Sequence, residues 1–228
     1  MKARLLSQLQ ACIAAKEPVA LVTDTATGAQ SLVGEDVQGD VPLEAHLGEI
    51  KRRIAADKSG AIENTSLFVR VYSPNPRLVV VGAVHIAQSL VPLAQIAGFE
   101  VVVIDPRAAF LTAGKLAGAT TIEDWPDDGM KLVRPDGRTA VVTLTHDPKL
   151  DDPALAAALR SPAFYIGALG SRKTHDKRLQ RLRGDGFTDS DLARIRGPVG
   201  LDINAISPPE IAVSIIAQVI ETLRAGAK

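Results

Sequence analysis

The sequence predicts a doubly wound, mainly parallel α/β domain preceded by a small α+β unit, and three observations predict it. Aliphatic runs without polar alternation recur between residues 78 and 166, as strands covered on both faces require. Helix-forming stretches alternate with those runs. The first run leads directly into the glycine turn Gly82-Ala-Val-His85, where a strand gives way to a helix. The 228 residues are 46% hydrophobic but 4% aromatic, so the interior is built mostly from valine, alanine and leucine.

The elements follow in order. Leu5, Leu6, Leu9 and Ile13 recur at helical spacing within residues 1–17, and Pro18 ends that helix before a strand over 19–23. A polar, glycine-bearing region leads to a helix over 43–56 and a second strand over 67–72. The prolines of Ser73-Pro-Asn-Pro-Arg77 mark a linker, which divides the chain into an N-terminal domain, 1–73, and a larger one, 74–228. In the larger domain the pattern predicts strands at 78–81, 101–104, 140–144 and 163–166, a helix reaching residue 97, another near 153–159, and helices beyond. Trp125-Pro-Asp-Asp-Gly129 reads as a surface loop. Asp152-Pro153 reads as an N-cap followed by a proline in the first helical position, and Ser207-Pro-Pro-Glu210 as a capping box.

Composition narrows the function. Lys+Arg and Asp+Glu balance at 26 each, so no global field favours nucleic acid or an anionic membrane, and electrostatic function is local. The single cysteine, Cys12, excludes an internal disulfide and a cysteine-rich metal cluster. The N-terminus lacks a signal-peptide pattern, and a cytoplasmic location is expected. The apolar stretch 211–220 is too short to span a bilayer and reads as a buried helix or a contact between protomers of a homodimer.

In such a sheet the ligand crevice lies beyond the carboxyl ends of the strands. Four segments fall there: Gly82-Ala-Val-His85, Asp105-Pro-Arg107, Thr145-His-Asp147 and Gly167-Ala-Leu-Gly-Ser-Arg-Lys173. The first resembles the dinucleotide fingerprint G-x-G-x-x-G/A, with Gly82 and Ala87 in place but Val84 at the second glycine. A β-branched side chain there disfavours close approach of a pyrophosphate and so an ordinary NAD(P) pose. Asp105 stands where an acid would hold a ribose hydroxyl, or else it caps a helix or pairs with Arg107. Arg107 can face a phosphate or carboxylate with its planar fork. His85 opens a helix, and its ring offers a hydrogen-bond donor or a ligand atom; His146 and Asp147 form a second polar pair. No His-x-x-x-His spacing favours a metal.

The strongest anion-binding signal is the second glycine loop, where Gly167 and Gly170 permit close backbone approach and Ser171 and Arg172 supply donors at a helix start. Lys177, Arg178, Arg181 and Arg183 read as the solvated face of the following helix. Neither a G-x-S-x-G elbow nor a P-loop spacing is present, so no catalytic residue is assigned.

Together, Arg77-Leu-Val-Val-Val-Gly-Ala-Val-His85, Val103-Ile-Asp-Pro-Arg107, Leu144-Thr-His-Asp147 with Asp151-Asp-Pro153, Tyr165-Ile-Gly-Ala-Leu-Gly-Ser-Arg172, and Pro198-Val-Gly-Leu-Asp202 with Pro209-Glu-Ile-Ala-Val-Ser214 resemble the XdhC/CoxI family of xanthine dehydrogenase accessory proteins. The resemblance runs over residues 72–222 and implies a Rossmann-like domain. It further implies a chaperone that binds the molybdenum cofactor, a molybdopterin, assists its sulfuration, and delivers it to a molybdenum hydroxylase apoenzyme, with a cysteine desulfurase as a further partner. The cofactor-binding residues expected are Gly82, Ala83, His85, Asp105, Arg107, His146, Gly167, Gly170, Ser171 and Arg172. Two other readings compete: an NAD(P)-dependent oxidoreductase with a degenerate fingerprint, and an adaptor for hydroxylase maturation that binds no cofactor.

Overall fold

The computed structural model describes residues 2–112 and 114–225. Residues 2–74, together with residues 224 and 225, form one compact unit, and Asn75–Leu223 form the other.

The first unit is an antiparallel sheet with a helix on each face. Its elements are α1 (Ala3–Ala14), β1 (Val19–Asp24), β2 (Gln30–Val33), β3 (Val37–Gly39), α2 (Leu47–Ala55), β4 (Gly60–Ala61) and β5 (Leu67–Tyr72), with sheet order β3-β2-β1-β5-β4. Alternation along β5 explains the layering, since Leu67, Val69 and Val71 are buried while Phe68 and Arg70 face outward. The α2 side chain Ile50 packs with Ala20, Val22, Val33 and Val69 on one face; Leu5 and Leu9 of α1 pack with Val19, Leu21 and Leu32 on the other. The polar region after β1 is a hairpin. Gly28 turns at φ +77° and donates its amide to the Asp24 carbonyl, bringing β2 back against β1.

The second unit contains β6 (Arg77–Val81), α3 (His85–Ile96), β7 (Glu100–Ile104), α4 (Ala108–Leu111), β8 (Thr120–Ile122), α5 (Pro126–Val133), β9 (Thr139–Thr143), α6 (Pro148–Leu159), β10 (Tyr165–Ala168), α7 (Arg172–Gly184), α8 (Asp189–Leu192), β11 (Ile195–Arg196) and all but the last two residues of α9 (Pro208–Ala225). All strand pairings are parallel and the order is β8-β7-β6-β9-β10-β11. This is the doubly wound order, with its reversal between β6 and β9. Val81 lies beside Thr143 on one side and Ile104 on the other, so the three strands end level.

Continuous aliphatic strands serve two cores. Leu78 and Val80 face α3 and α9, packing with Ala87, Leu90, Val91, Ile215 and Val219; Val79 and Val81 face α5, α6 and α7, packing with Met130, Leu155, Ala158 and Leu182. Burying each large aliphatic side chain stabilises the fold by about 1.5–3 kcal/mol. The sheet is fixed from both sides, and its carboxyl ends are held at one level.

Local signals account for three departures from the sequence expectations. Trp125-Pro-Asp-Asp-Gly129 is not a loop. Trp125 takes the N-cap position of α5, Pro126 opens the helix, Asp127 and Asp128 sit in its first turn, and Gly129, Met130 and Val133 are buried. Nor does Asp152 cap a helix. Asp147 is the N-cap of α6, accepting from the Lys149 amide at 2.9 Å, with Pro148 at its first position, so Pro153 lies inside the helix. Finally, β10 begins two residues later than the apolar run. The capping box before α9 is present, because the Ser207 amide donates to Glu210 Oε2 at 2.8 Å and the Glu210 amide donates to Ser207 Oγ at 3.4 Å. Among the described residues no helix is long and apolar enough to cross a membrane.

Candidate functional site

The glycine turn is built from the end of β6. Gly82 has φ +104°, a left-handed conformation, and a Cβ there would collide with Thr145 Cγ2, so only glycine fits between β6 and the loop after β9. Its neighbour Ala83 is fully buried and donates its amide to Asp105 Oδ2 at 2.8 Å. Val84 is the N-cap residue of α3 and supplies no side-chain acceptor; its side chain packs partly against the α3 core. The first-turn amides of α3 are therefore uncapped by any side chain, and exposed His85 begins the helix beside them. Ala87 is fully buried, which is the close helix-to-strand packing that the third position of the fingerprint serves.

Asp105 ends β7 with no exposed surface. Its carboxylate is fully engaged within the chain. Oδ1 accepts from the Arg107 amide at 3.0 Å and from Arg107 Nε at 2.8 Å, while Oδ2 accepts from Arg107 Nη2 at 2.7 Å as well as from Ala83. Burial pushes this carboxyl's pKa upward, yet the Arg107 fork and the two amides outweigh it and hold the group below its ordinary value. Arg107 keeps 42% of its side chain exposed and lies over the Phe110 ring at 4.2 Å, so the fork is fixed on both sides. The sequence left Asp105 open between ribose ligand and partner of Arg107. Its geometry is that of a partner, bracing the glycine turn.

Across the switch point the loop after β9 is organised by Asp151, which the sequence placed in a family motif but not among the site residues. Asp151 is buried, accepts from the Thr145 hydroxyl at 2.7 Å and its amide at 3.3 Å, and accepts from the His146 amide at 3.1 Å. These bonds hold His146 in a left-handed conformation, φ +63°, with its ring exposed toward Gly170. Arg178 of α7 reaches the same carboxylate, Nη2 to Oδ2 at 3.3 Å, and the Leu169 carbonyl at 2.9 Å. Burial dominates at Asp151 and raises its pKa despite that guanidinium. Arg178 was expected on the solvated face of α7 but is buried, and its Nε and Nη1 have no hydrogen-bond partner among the described residues. The available signal was its spacing: Arg178 lies four residues before buried Leu182, on the inward face.

The second glycine loop divides in its roles. Gly167 lies inside β10, where a Cβ would meet Val199 at 2.5 Å and Tyr165 at 2.8 Å, so it serves packing and is buried away from the crevice. Gly170, at φ +142°, makes the turn beside His146. Ser171 caps α7, accepting from the Thr174 amide at 3.2 Å. Arg172 is exposed and lines a separate cavity of about 370 Å³ with Leu169, Val199, Asp202, Asn204 and Ser214. Gly200, which also lines it, is held by Gln218, whose Oε1 accepts from the Gly200 amide at 2.9 Å and from the Tyr165 hydroxyl at 2.6 Å.

The fold thus brings Gly82, Ala83, Asp105 and Arg107 into one bonded cluster and sets His146 beside Gly170. His85 and Arg172 flank them on the first turns of α3 and α7. Among the described residues no three His, Cys, Asp or Glu side chains gather to hold a metal ion. What faces outward at the strand ends is the uncapped amides of α3, two imidazoles, cationic side chains and the carboxylate of Asp147, which caps α6. That inventory suits the reversible holding of an anionic ligand.

Comparison with known proteins places this geometry. The family described as the XdhC Rossmann domain matches residues 78–219. The protein YqeB of Escherichia coli K12 is 30% identical over 172 residues, covering 74% of this chain and 30% of YqeB. The molybdenum cofactor insertion chaperone PaoD of the same organism is 42% identical over 84 residues, 37% of this chain and 26% of PaoD. A Bacillus subtilis 168 protein, named as a probable component of xanthine dehydrogenase, is 33% identical over 164 residues, 70% of this chain and 47% of that protein. The chain spans less than half the length of each of these curated relatives. A crystal structure of a xanthine dehydrogenase from Bacillus halodurans superposes with a TM-score of 0.78 at 27% identity, covering 97% of this chain and 67% of that one.

Proposed function

The chain belongs to the XdhC family, and from that membership we propose that it is an accessory protein that binds molybdenum cofactor and passes it to a xanthine dehydrogenase-type hydroxylase. In this reading the pterin phosphate lies nearer the Gly170-Ser-Arg172 turn than the start of α3, where Val84 would crowd it. His85 and His146 orient the ligand from either side of the switch point. Sulfuration of the cofactor takes place while it is held, with a cysteine desulfurase as donor partner, and the carrier acts as a homodimer.

The observation that carries the reading is the engagement of Asp105. A nicotinamide-dinucleotide enzyme needs the acid at this strand end free to accept ribose hydroxyls, whereas here both oxygens are taken by Ala83 and Arg107. Apart from Asp147, which is engaged in capping α6, the crevice is left with donors and cations, which match a phosphate better than a ribose. The relationship to PaoD, named as a molybdenum cofactor insertion chaperone, supports the same ligand.

The test is direct. The purified protein is mixed with molybdopterin, separated from free ligand, and its bound pterin is read by fluorescence after oxidation. Stoichiometric retention, together with faster activation of an apo-hydroxylase, is expected. Absence of retained pterin while the apo-hydroxylase is still activated would transfer the role to the adaptor reading.

A further inference from the structure

We infer that the face between α6 and α7 is a second anion site, which takes a phosphate-sized oxyanion and meets the crevice at His146. The face encloses a cavity of about 250 Å³, lined by His146 and Pro148 at the start of α6 and by Lys173, Lys177, Arg178 and Arg181 of α7, with Asp151 in its floor. That is smaller than the ~300–1,000 Å³ of pockets that take whole drug-sized ligands, so the site fits a charged group rather than an entire cofactor.

Helical geometry assembles the cations. Positions 173, 177 and 181 recur every four residues on α7, and Arg178 lies beside them one turn before Leu182. Arg181 is held by Asp152, with Nη2 to Oδ1 at 3.0 Å, and Asp151 contacts Arg178 by a single long bond. Lys173 and Lys177 form no ion pair or hydrogen bond among the described residues and are exposed. Of the four cations, Arg178 is answered by Asp151 and Arg181 by Asp152 and Asp185, which leaves the two lysines for a ligand.

Arg178 is the second, independent pointer. Its side chain is 2% exposed, and Nε and Nη1 are buried without a partner among the described residues. A buried guanidinium is ordinarily satisfied on all its N–H groups, because an under-compensated internal charge is unfavourable. The start of α6 is already answered by its own chain, since Asp147 caps it and Pro148 has no amide to give, so the free donors of this space are those of α7. A tetrahedral oxyanion seated between the two lysines answers both the unpaired lysines and the under-satisfied guanidinium.

Binding of inorganic phosphate and of a phosphomonoester such as a nucleoside monophosphate is measured by calorimetry at fixed ionic strength. Saturable binding of at least one is expected, weakened at least ~tenfold in the Lys173→Ala/Lys177→Ala double variant and unchanged in Lys131→Ala, which removes a charge from α5. Preference for inorganic phosphate assigns the site to the free ion; preference for the ester assigns it to a phosphorylated ligand. Absence of saturable binding of both at millimolar concentration, or equal affinity in the double variant with an unchanged melting temperature, overturns the site.

Discussion

Asp105 occupies the strand-end position of a ribose-holding acid, but its hydrogen bonds make it the brace of the glycine turn. Replacing it with asparagine removes the ionic half of the Arg107 fork, and hydrogen bonds to charged groups contribute about 1.5–3 kcal/mol each. We expect Asp105→Asn to lower unfolding free energy by about 2 kcal/mol near neutral pH, measured by urea titration. The sign of its pH dependence follows from the lowered native pKa. The contribution is complete above the unfolded carboxyl pKa of about 3.9 and is lost as pH falls through the lower native value, so the gap between wild type and variant closes in acid. A gap that widened in acid would contradict this role. Gly82→Ala combines left-handed strain with a collision against Thr145 Cγ2, and a loss of about 3 kcal/mol is expected. Pairing it with Thr145→Ser should recover the steric part only, since serine keeps the hydroxyl that bonds Asp151 and lacks the offending methyl. Full recovery would show that φ strain contributes nothing.

At the scale of elements, helix ends decide much of the site. Ser171→Ala removes the cap of α7 and should cost about 1 kcal/mol in thermal or urea unfolding. In α5, Gly129→Ala would gain about 1 kcal/mol of helix propensity, but its Cβ would stand 2.7 Å from Ile104 Cγ2. Overpacking of about 1–3 kcal/mol prevails, and the variant is expected to be less stable; a rise in melting temperature would refute the close packing of α5 on β7. The strands around the switch point were legible because Leu78–Val81 and Val101–Ile104 are uninterrupted aliphatic runs and Ala140–Leu144 is broken by Thr143 alone. The helix over 126–133 was hidden by a composition, Pro-Asp-Asp-Gly, that serves a loop and a helix start equally well. Short strands such as β8 and β11 carry too few residues to show a period. Of the site, the four strand-end segments were legible, but the network holding them was not. Asp151 and Arg178 are charged residues recruited by tertiary burial, and sequence composition assigns such residues to the surface.

For the whole molecule, the account joins a doubly wound sheet to a crevice whose strand-end acid is consumed by its own chain. It follows that NADH and NADPH at millimolar concentration should leave the melting temperature unchanged, whereas a ligand that binds the native state raises it. A saturable shift with either nucleotide would restore the oxidoreductase reading. The central claim is that this crevice holds the molybdenum cofactor through its strand-end donors. The measurement that tests it most directly is equilibrium binding of molybdopterin to the wild-type protein and to Arg172→Ala, an exposed change on the first turn of α7. The account predicts saturable binding by wild type and at least ~tenfold weaker binding by the variant at unchanged stability; no binding by wild type, or equal binding by both, would contradict it.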